Sequence, residues 1–347
     1  MWRLKRRDGG SAVVEHSPED SGDFSGSDEA MFAEIRRLNA ENREDPNRDS
    51  ERRLLRLRHL AGLRLLETNG SAARHPDPDF AALPEAEGLP DIDAADLTPE
   101  LLRAGILRDG CLLVRGLVPR NDALRFAAHI DRSFAERERQ IEGVTPAEGY
   151  YEEFEPEFPQ PPPPRPWIRD GGGVLAADSP MLSFEMLELF ANAGVSRLAE
   201  GYLGEPPLMS IEKSTLRKVP PNLAGGWHQD GKFLGDVRSL NLWLSLSRCG
   251  DEAPGLDIVP RRLEDLVTTG TGETTLAIQV SRANAEEAAG AVGILRPIFE
   301  PGDALFFDEM FLHCTAADPS MPNPRYAIEN WFFGSSSFPR EYGPVAV

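Results

Sequence analysis

His228 and Asp230, one residue apart in the stretch GGWHQDGKF (225–233), are the residues whose types and spacing most directly suggest metal chemistry. Imidazole and carboxylate both ligate divalent ions, and on an extended strand side chains two positions apart share one face. A chance His-X-Asp triplet looks the same, so the pair needs a third ligand. The chain has 6 histidines. His16, His59 and His75 fall in an N-terminal tail, a basic helix and a connector. His129 falls in a helix, where a lone histidine more often packs than coordinates. His313, in PGDALFFDEMFLHCTA, is the other histidine of the strand-rich region. Two imidazoles and one carboxylate make a facial triad, which leaves one side of an iron(II) ion open.

Iron oxygenases that draw on 2-oxoglutarate need a cation for the far carboxylate of the keto acid, and arginine suits that task through paired hydrogen bonds. Arg325 follows His313 by twelve positions, across a turn-rich DPSMPNP that can bring RYAIENWFF back beside the metal. A strand-start arginine in a surface ion pair is the plain alternative. Between 211 and 248 the basic residues Lys213, Arg217, Lys218, Lys232, Arg238 and Arg248 outnumber the acidic Glu212, Asp230 and Asp236, in a chain of net charge −20. A local positive field favours an anionic ligand; exposed strand lysines without a role would give the same tally.

These residues need elements to position them. At 347 residues and 40% hydrophobic content, the chain can bury a substantial core. The strong negative charge disfavours nucleic acid and anionic membrane surfaces as partners. Cys111, Cys249 and Cys314 are odd in number and widely spaced, which indicates neither a disulfide framework nor a thiolate zinc site and fits a reducing cytoplasm. No signal-peptide core and no run of about 18 apolar residues is found.

Residues 1–30 have the composition of a disordered tail. Residues 31–94 read as a helical extension, with a basic amphipathic run SERRLLRLRHLAGLRLLE, followed by an acidic, proline-bearing connector. That run could meet a membrane surface or a partner, or pack on the main domain with its arginines solvated. From residue 95 a helix ending at Asp109-Gly110, a strand over 111–118 and a helix capped by Asn121 lead into a mixed domain. Residues 145–175 combine Tyr150, Tyr151, Phe154 and Trp167 with a polyproline run and three glycines, the make-up of either a lid or a surface loop. Ser179 and Pro180 start a helix that runs to Gly204. Beyond it, LMSIEKSTLRKV, SLNLWLSLS, GLDIVP, TLAIQV, GILRPIFE, ALFFDEMFLHCTA and RYAIENWFF read as short strands of an antiparallel sandwich or barrel, with a helical insertion over 281–291.

The motifs DGCLLVRGLV, YLGEPP, LRKVPPNLAGGWHQDG, LNLWLSLSRCGDEAPGLDIVP and FEPGDALFFDEMFLHCT, then PRYAIENWFF, occur in an order that resembles the phytanoyl-CoA dioxygenase-like family over about residues 95–335. The resemblance implies a mostly β fold with flanking helices, in which 95–347 form a double-stranded β-helix (jelly-roll) oxygenase domain. It implies Fe(II), with 2-oxoglutarate and O2 as cosubstrates, His228, Asp230 and His313 as metal ligands, and Arg325 as the keto acid's anchor. By the same resemblance Gln229, Trp243 and Thr315 line the keto acid pocket. The chain departs from the family's pattern after GLDIVP, where Arg261, Arg262 and Leu263 replace Gly-Ser-His. It keeps Asp230, which halogenating relatives replace. The expected activity is therefore hydroxylation of a small molecule (natural product, lipid-like or acyl) with release of succinate and CO2. A non-catalytic jelly-roll binding module with a vestigial site is the alternative from another class, and a cupin-type isomerase or hydrolase is a third reading.

Overall fold

The computed structural model describes residues 24–67, 73–85, 88–157, 161, 163–274 and 276–347. Its centre is a nine-stranded sheet. Strands β1 (Asp91–Asp93), β2 (Cys111–Arg115), β8 (Ala304–Asp308), β6 (Ser239–Ser245), β10 (Arg325–Gly334), β4 (Pro207–Ser210) and β11 (Pro344–Ala346) lie in that order. Strand β5 (Thr215–Val219) pairs with the first half of β10 and carries β3 (Gly173–Leu175) on its other edge. Among the described strands only the β1–β2 pair is parallel. A second, two-stranded sheet joins β7 (Gly255–Ile258) to β9 (His313–Ala316).

Strand alternation decides what each face meets. Leu112, Val114, Leu240, Leu242, Leu244, Ala304, Phe306 and Ile328 enter one cluster with the helices. Their neighbours Cys111, Leu113, Trp243, Leu305, Phe307 and Ala327 enter another, with Leu256 and Ile258 of the small sheet. All seven residues of β6 are consequently buried. Each of its leucines contributes about 1.5–3 kcal/mol by leaving water. The helix layer comprises α3 (Pro99–Asp109), α4 (Arg120–Ile141), α6 (Pro180–Asn192) and α7 (Val195–Leu203). Two N-terminal helices, α1 (Asp28–Glu44) and α2 (Arg48–Leu65), pack Met31, Ile35, Leu38, Leu54 and Leu57 against Leu208, Phe333 and Ala346. Gly62 lets α2 approach β11 closely, since a Cβ there would lie 2.9 Å from the Pro344 carbonyl carbon.

Several local expectations change. The expected tail lies mostly outside the described residues, but helix α1 already starts at Asp28, where the Ser27 side chain accepts a hydrogen bond from the Ala30 N–H. The arginines of α2 are not left to solvent alone: Arg52 pairs with Glu152 at 2.8 Å and Arg58 donates to the Ala346 carbonyl. Helix α4 follows Pro119, so Asn121 sits in its first turn rather than at its cap. The single helix expected up to Gly204 is two, because Gly194, at φ 69°, breaks it before α7. Ser179 leaves the end of α6 uncapped and donates instead to the Tyr150 carbonyl.

Two expected strands do not form. In TLAIQV the chain turns, with the Gln279 N–H on the Leu276 carbonyl, and among its described residues Val280 alone bridges, to Trp227 and Thr269. In GILRPIFE only Leu295 and Phe299 bridge, because Pro297 between them has no N–H to extend a ladder. Both lie in the excursion from β7 to β8, which carries the short helix α9 (Arg282–Ala289). All three cysteines are free and buried, and among the described residues no helix is long and apolar enough to cross a membrane.

Candidate metal centre

His228 and His313 meet across an antiparallel bridge, each backbone N–H donating to the other's carbonyl at 3.0 and 3.1 Å. Their rings lie 4.4 Å apart. After His228 the chain leaves the extended conformation. Asp230 takes helical angles (φ −63°, ψ −27°) and precedes the one-turn helix α8 (Gly231–Leu234). The two-residue spacing therefore works through a turn and not through a shared strand face. Gly231 makes the turn possible, since its N–H donates to the Glu309 carbonyl at 2.7 Å and a Cβ would lie 3.0 Å from that oxygen.

The ligand atoms of His228, Asp230 and His313 all lie within 4.8 Å of one another. The Nδ1 of His228 is 2.8 Å from the Gly226 carbonyl, and that of His313 is 3.1 Å from the Phe311 carbonyl. Each Nδ1 must carry the proton to make that bond, which leaves each Nε2 with a lone pair for a metal. Burial, reinforced by the His228 ring, pushes His313 down to about 3, so it is a neutral ligand at ordinary pH. Burial pushes the Asp230 carboxyl up to about 6, against the opposing pull of His228 and Lys213. One Asp230 oxygen is fixed by the Asn241 amide at 2.6 Å, and the other faces His228 Nε2 at 3.7 Å.

The three ligands open onto a cavity of about 250 Å³ between the two sheets. Arg325, Trp243 and Thr315 line it. Arg325, the first residue of β10, is 1% exposed; it donates to the Gly255 carbonyl at 3.1 Å and lies 3.6 Å from Glu329. Glu329 is itself held by Arg217 at 2.7 Å. Burial raises the Glu329 carboxyl, but Arg217 and Arg325 outweigh it and keep the group below its ordinary range. Arg325 Nε and Trp243 Nε1 are buried donors without a hydrogen-bond partner. Both residues line the cavity, and a buried donor without a partner is the kind of group that a ligand's acceptor oxygens would satisfy.

Gln229 does not line the cavity. Its amide donates to the Met310 carbonyl at 2.7 Å and accepts from the Val267 N–H, bracing the loop that follows β7. Of the aromatic residues in 145–175, Trp167 on α5 (Arg165–Asp170) lines the cavity. Tyr151 is buried, and Tyr150 and Phe154 pack on the helix-side core. Arg262, at the departure after GLDIVP, reaches the buried Asp308 of β8, which also accepts from the Tyr202 hydroxyl at 2.7 Å. Asn241 and Glu329 also line the cavity without any sequence signal that marks them as site groups, and Lys213 enters the sequence only as one of the basic residues of 211–248. The nearest thing to such a signal is the place of Asn241 on one face of β6 with Trp243.

No protein-family model and no curated protein matches this sequence. Solved structures do. EctD from S. alaskensis, with 2-oxoglutarate and 5-hydroxyectoine, aligns over 78% of this chain and 86% of that one, at 16% identity and a TM-score of 0.52. The epimerase SnoN in complex with Fe3+, alpha ketoglutarate and nogalamycin RO aligns over 68% and 83%, at 18% identity and a TM-score of 0.47. SnoK, a non-heme alpha ketoglutarate dependent carbocyclase from nogalamycin biosynthesis, aligns over 70% and 87%, at 16% identity and 0.47. At these identities the likeness is one of fold, and the EctD alignment shows that the chain shares its fold with a protein crystallised with 2-oxoglutarate.

Proposed function

We propose that the protein is an Fe(II)- and 2-oxoglutarate-dependent dioxygenase that hydroxylates a small molecule. The observation that carries this is the pairing, in one cavity, of a His-Asp-His cluster whose imidazoles each present a free Nε2 with unsatisfied donors on Arg325 and Trp243. Iron held by His228, Asp230 and His313 would supply O2 activation coupled to decarboxylation of the keto acid to succinate and CO2. The chain does the rest. Arg325 and Trp243 take the keto acid's far carboxylate, Thr315 flanks it, and Asn241 fixes the Asp230 oxygen that does not face His228. Walls of Leu223, Leu256, Trp243 and Phe307 keep water from the reacting atoms.

The motif resemblance supports reading the chain as a relative of the phytanoyl-CoA dioxygenase-like proteins, with residues 95–347 as a jelly-roll oxygenase domain behind the helical extension and connector 31–94. The 145–175 segment is the natural cap of the site, a reading supported by Trp167 at the cavity's edge. Three buried free cysteines fit a reducing, cytoplasmic setting. The test is anaerobic titration of the Fe(II) protein with 2-oxoglutarate. A visible metal-to-keto-acid charge-transfer band is expected in the wild type and none in Asp230→Ala or His313→Ala; a wild type without the band, or variants that retain it, would refute the proposal.

A further inference from the structure

Lys213, in the turn between β4 and β5, puts its ammonium among four aromatic rings. Its Nζ lies 4.8 Å from the ring centre of Tyr342, 4.9 Å from Trp331, 5.5 Å from Phe233 and 5.7 Å from Trp167. These rings come from the C-terminal segment, β10, α8 and α5, so the box closes only in the folded chain. Among the described residues no carboxylate lies within 4.0 Å of the ammonium, and no hydrogen bond from it to the protein is found. The charged groups that act on it from a distance are Asp230 and Glu212, which favour its charge, and Arg217, which opposes it.

Aromatic faces attract an ammonium but accept no strong hydrogen bonds, so the three donors of this partly buried side chain stay open to solvent or to a ligand in the cavity. Lys213 lines the same cavity as the metal ligands, together with Trp167, Phe233 and Trp331. An aromatic box of this kind ordinarily suits a cationic ligand. Here the protein's own lysine fills it, which turns the subsite's preference to the opposite charge.

We propose that Lys213 and its aromatic box form the substrate's anion subsite, so that the molecule oxidised carries one carboxylate beside a flat apolar body. The keto acid has its own anchor at Arg325, six residues before Trp331 along β10, and does not need this lysine. The proposal rests on the oxygenase reading for what happens to the bound acid, but the subsite can be measured without turnover. Low-dielectric walls strengthen the charge pair, and Trp167, Phe233 and the nearby Leu276 and Ile278 offer surface to the apolar part. Substrates with a cationic group at this end are repelled.

The probe is phenylacetate against its uncharged analogue phenylacetamide. Binding is followed by tryptophan fluorescence on the metal-free protein and on the anaerobic Fe(II) protein with 2-oxoglutarate. Phenylacetate is expected to bind the wild type about tenfold more tightly than the amide, the worth of one charge-assisted hydrogen bond. The preference should disappear in Lys213→Met and survive in Lys213→Arg, while the keto acid's charge-transfer band stays at wild-type strength in both. A wild type indifferent to the charge, or a preference that persists in Lys213→Met, overturns the proposal. Loss of the band in Lys213→Met also overturns it, since the lysine would then serve the keto acid. A wild type without any band whose carboxylate preference still tracks Lys213 would sink the oxygenase reading and leave the anion subsite standing.

Discussion

At the floor of the cavity Asn241, Trp243, His313 and Arg325 stand on paired strands and are buried, whereas at its mouth Trp167 is 55%, Leu276 50% and Phe233 38% exposed. Floor groups are fixed twice, by the ladder beneath them and by a second contact: Asn241 on Asp230, Gly255 on Arg325, Phe311 on His313. Mouth groups stand on short helices and turns. A floor built this way suits a reaction that must not vary, and a mouth built this way suits a substrate that can.

The sharpest attack on this contrast is Arg325→Leu, which removes a fully buried cation of the floor. Affinity for 2-oxoglutarate should fall about a hundredfold, the loss of roughly 3 kcal/mol of charge-assisted bonding. Anaerobic titration of the Fe(II) protein measures it, and unchanged affinity would mean that the floor does not hold the keto acid. Asn241→Ala tests the second contact alone. Asp230 would keep its place in the chain but lose the amide that aims it, and Co(II) or Fe(II) affinity should fall about tenfold, as for other residues that orient metal ligands. A drop of less than twofold would show that the turn at Gly231 suffices.

The smallest effect tests whether the outer wall can loosen while the floor stays intact. His59 on α2 is fully buried, donates from Nδ1 to the Pro344 carbonyl and accepts at Nε2 from the Glu157 N–H, in the segment that leads to α5. Burial pushes it down to about 4, against the bond to Pro344, while the unfolded chain titrates near about 6.5. Below that value protons favour the unfolded chain, so the stability His59 contributes is complete above about pH 6.5 and drains away as pH falls toward about 4. Between about pH 6.5 and 5.5 the loss should be about 1 kcal/mol, and His59→Gln should lack it. Denaturant unfolding of both proteins at the two pH values checks this, and parallel pH slopes would contradict it.

The floor was largely legible in the sequence and the mouth was not, for a physical reason. Floor residues sit on strands whose alternation and turn breaks are local signals, and few histidines meant few choices for a third ligand. Even there the His-X-Asp spacing works by a different geometry from the one a strand would give, since a turn aligns Asp230 with His228. Trp243 and Thr315 line the cavity, whereas Gln229, adjacent to two of the cluster's residues, is turned away because both halves of its amide hold the 265–267 and 310 backbone. Lys213 reads in sequence as one charge in a β-run. Its meaning depends on Trp167, Phe233, Trp331 and Tyr342 arriving from four separate elements, and no local pattern encodes that meeting.

The excursion between β7 and β8 enters and leaves beside bridged residues, Ile258 with Leu295 and Cys249 with Phe299, while delivering Leu276 and Ile278 to the mouth. Its two ends are thus stitched to the scaffold, and between them Val267 on Gln229 and Val280 on Trp227 tie it down beside the metal ligands. Such a segment is an exchangeable cassette. Descendants of this chain could trade parts of it for others and acquire new chemical tastes, provided the replacement kept Arg262 on Asp308, Val267 on Gln229 and Val280 on Trp227 beside the ligand His228.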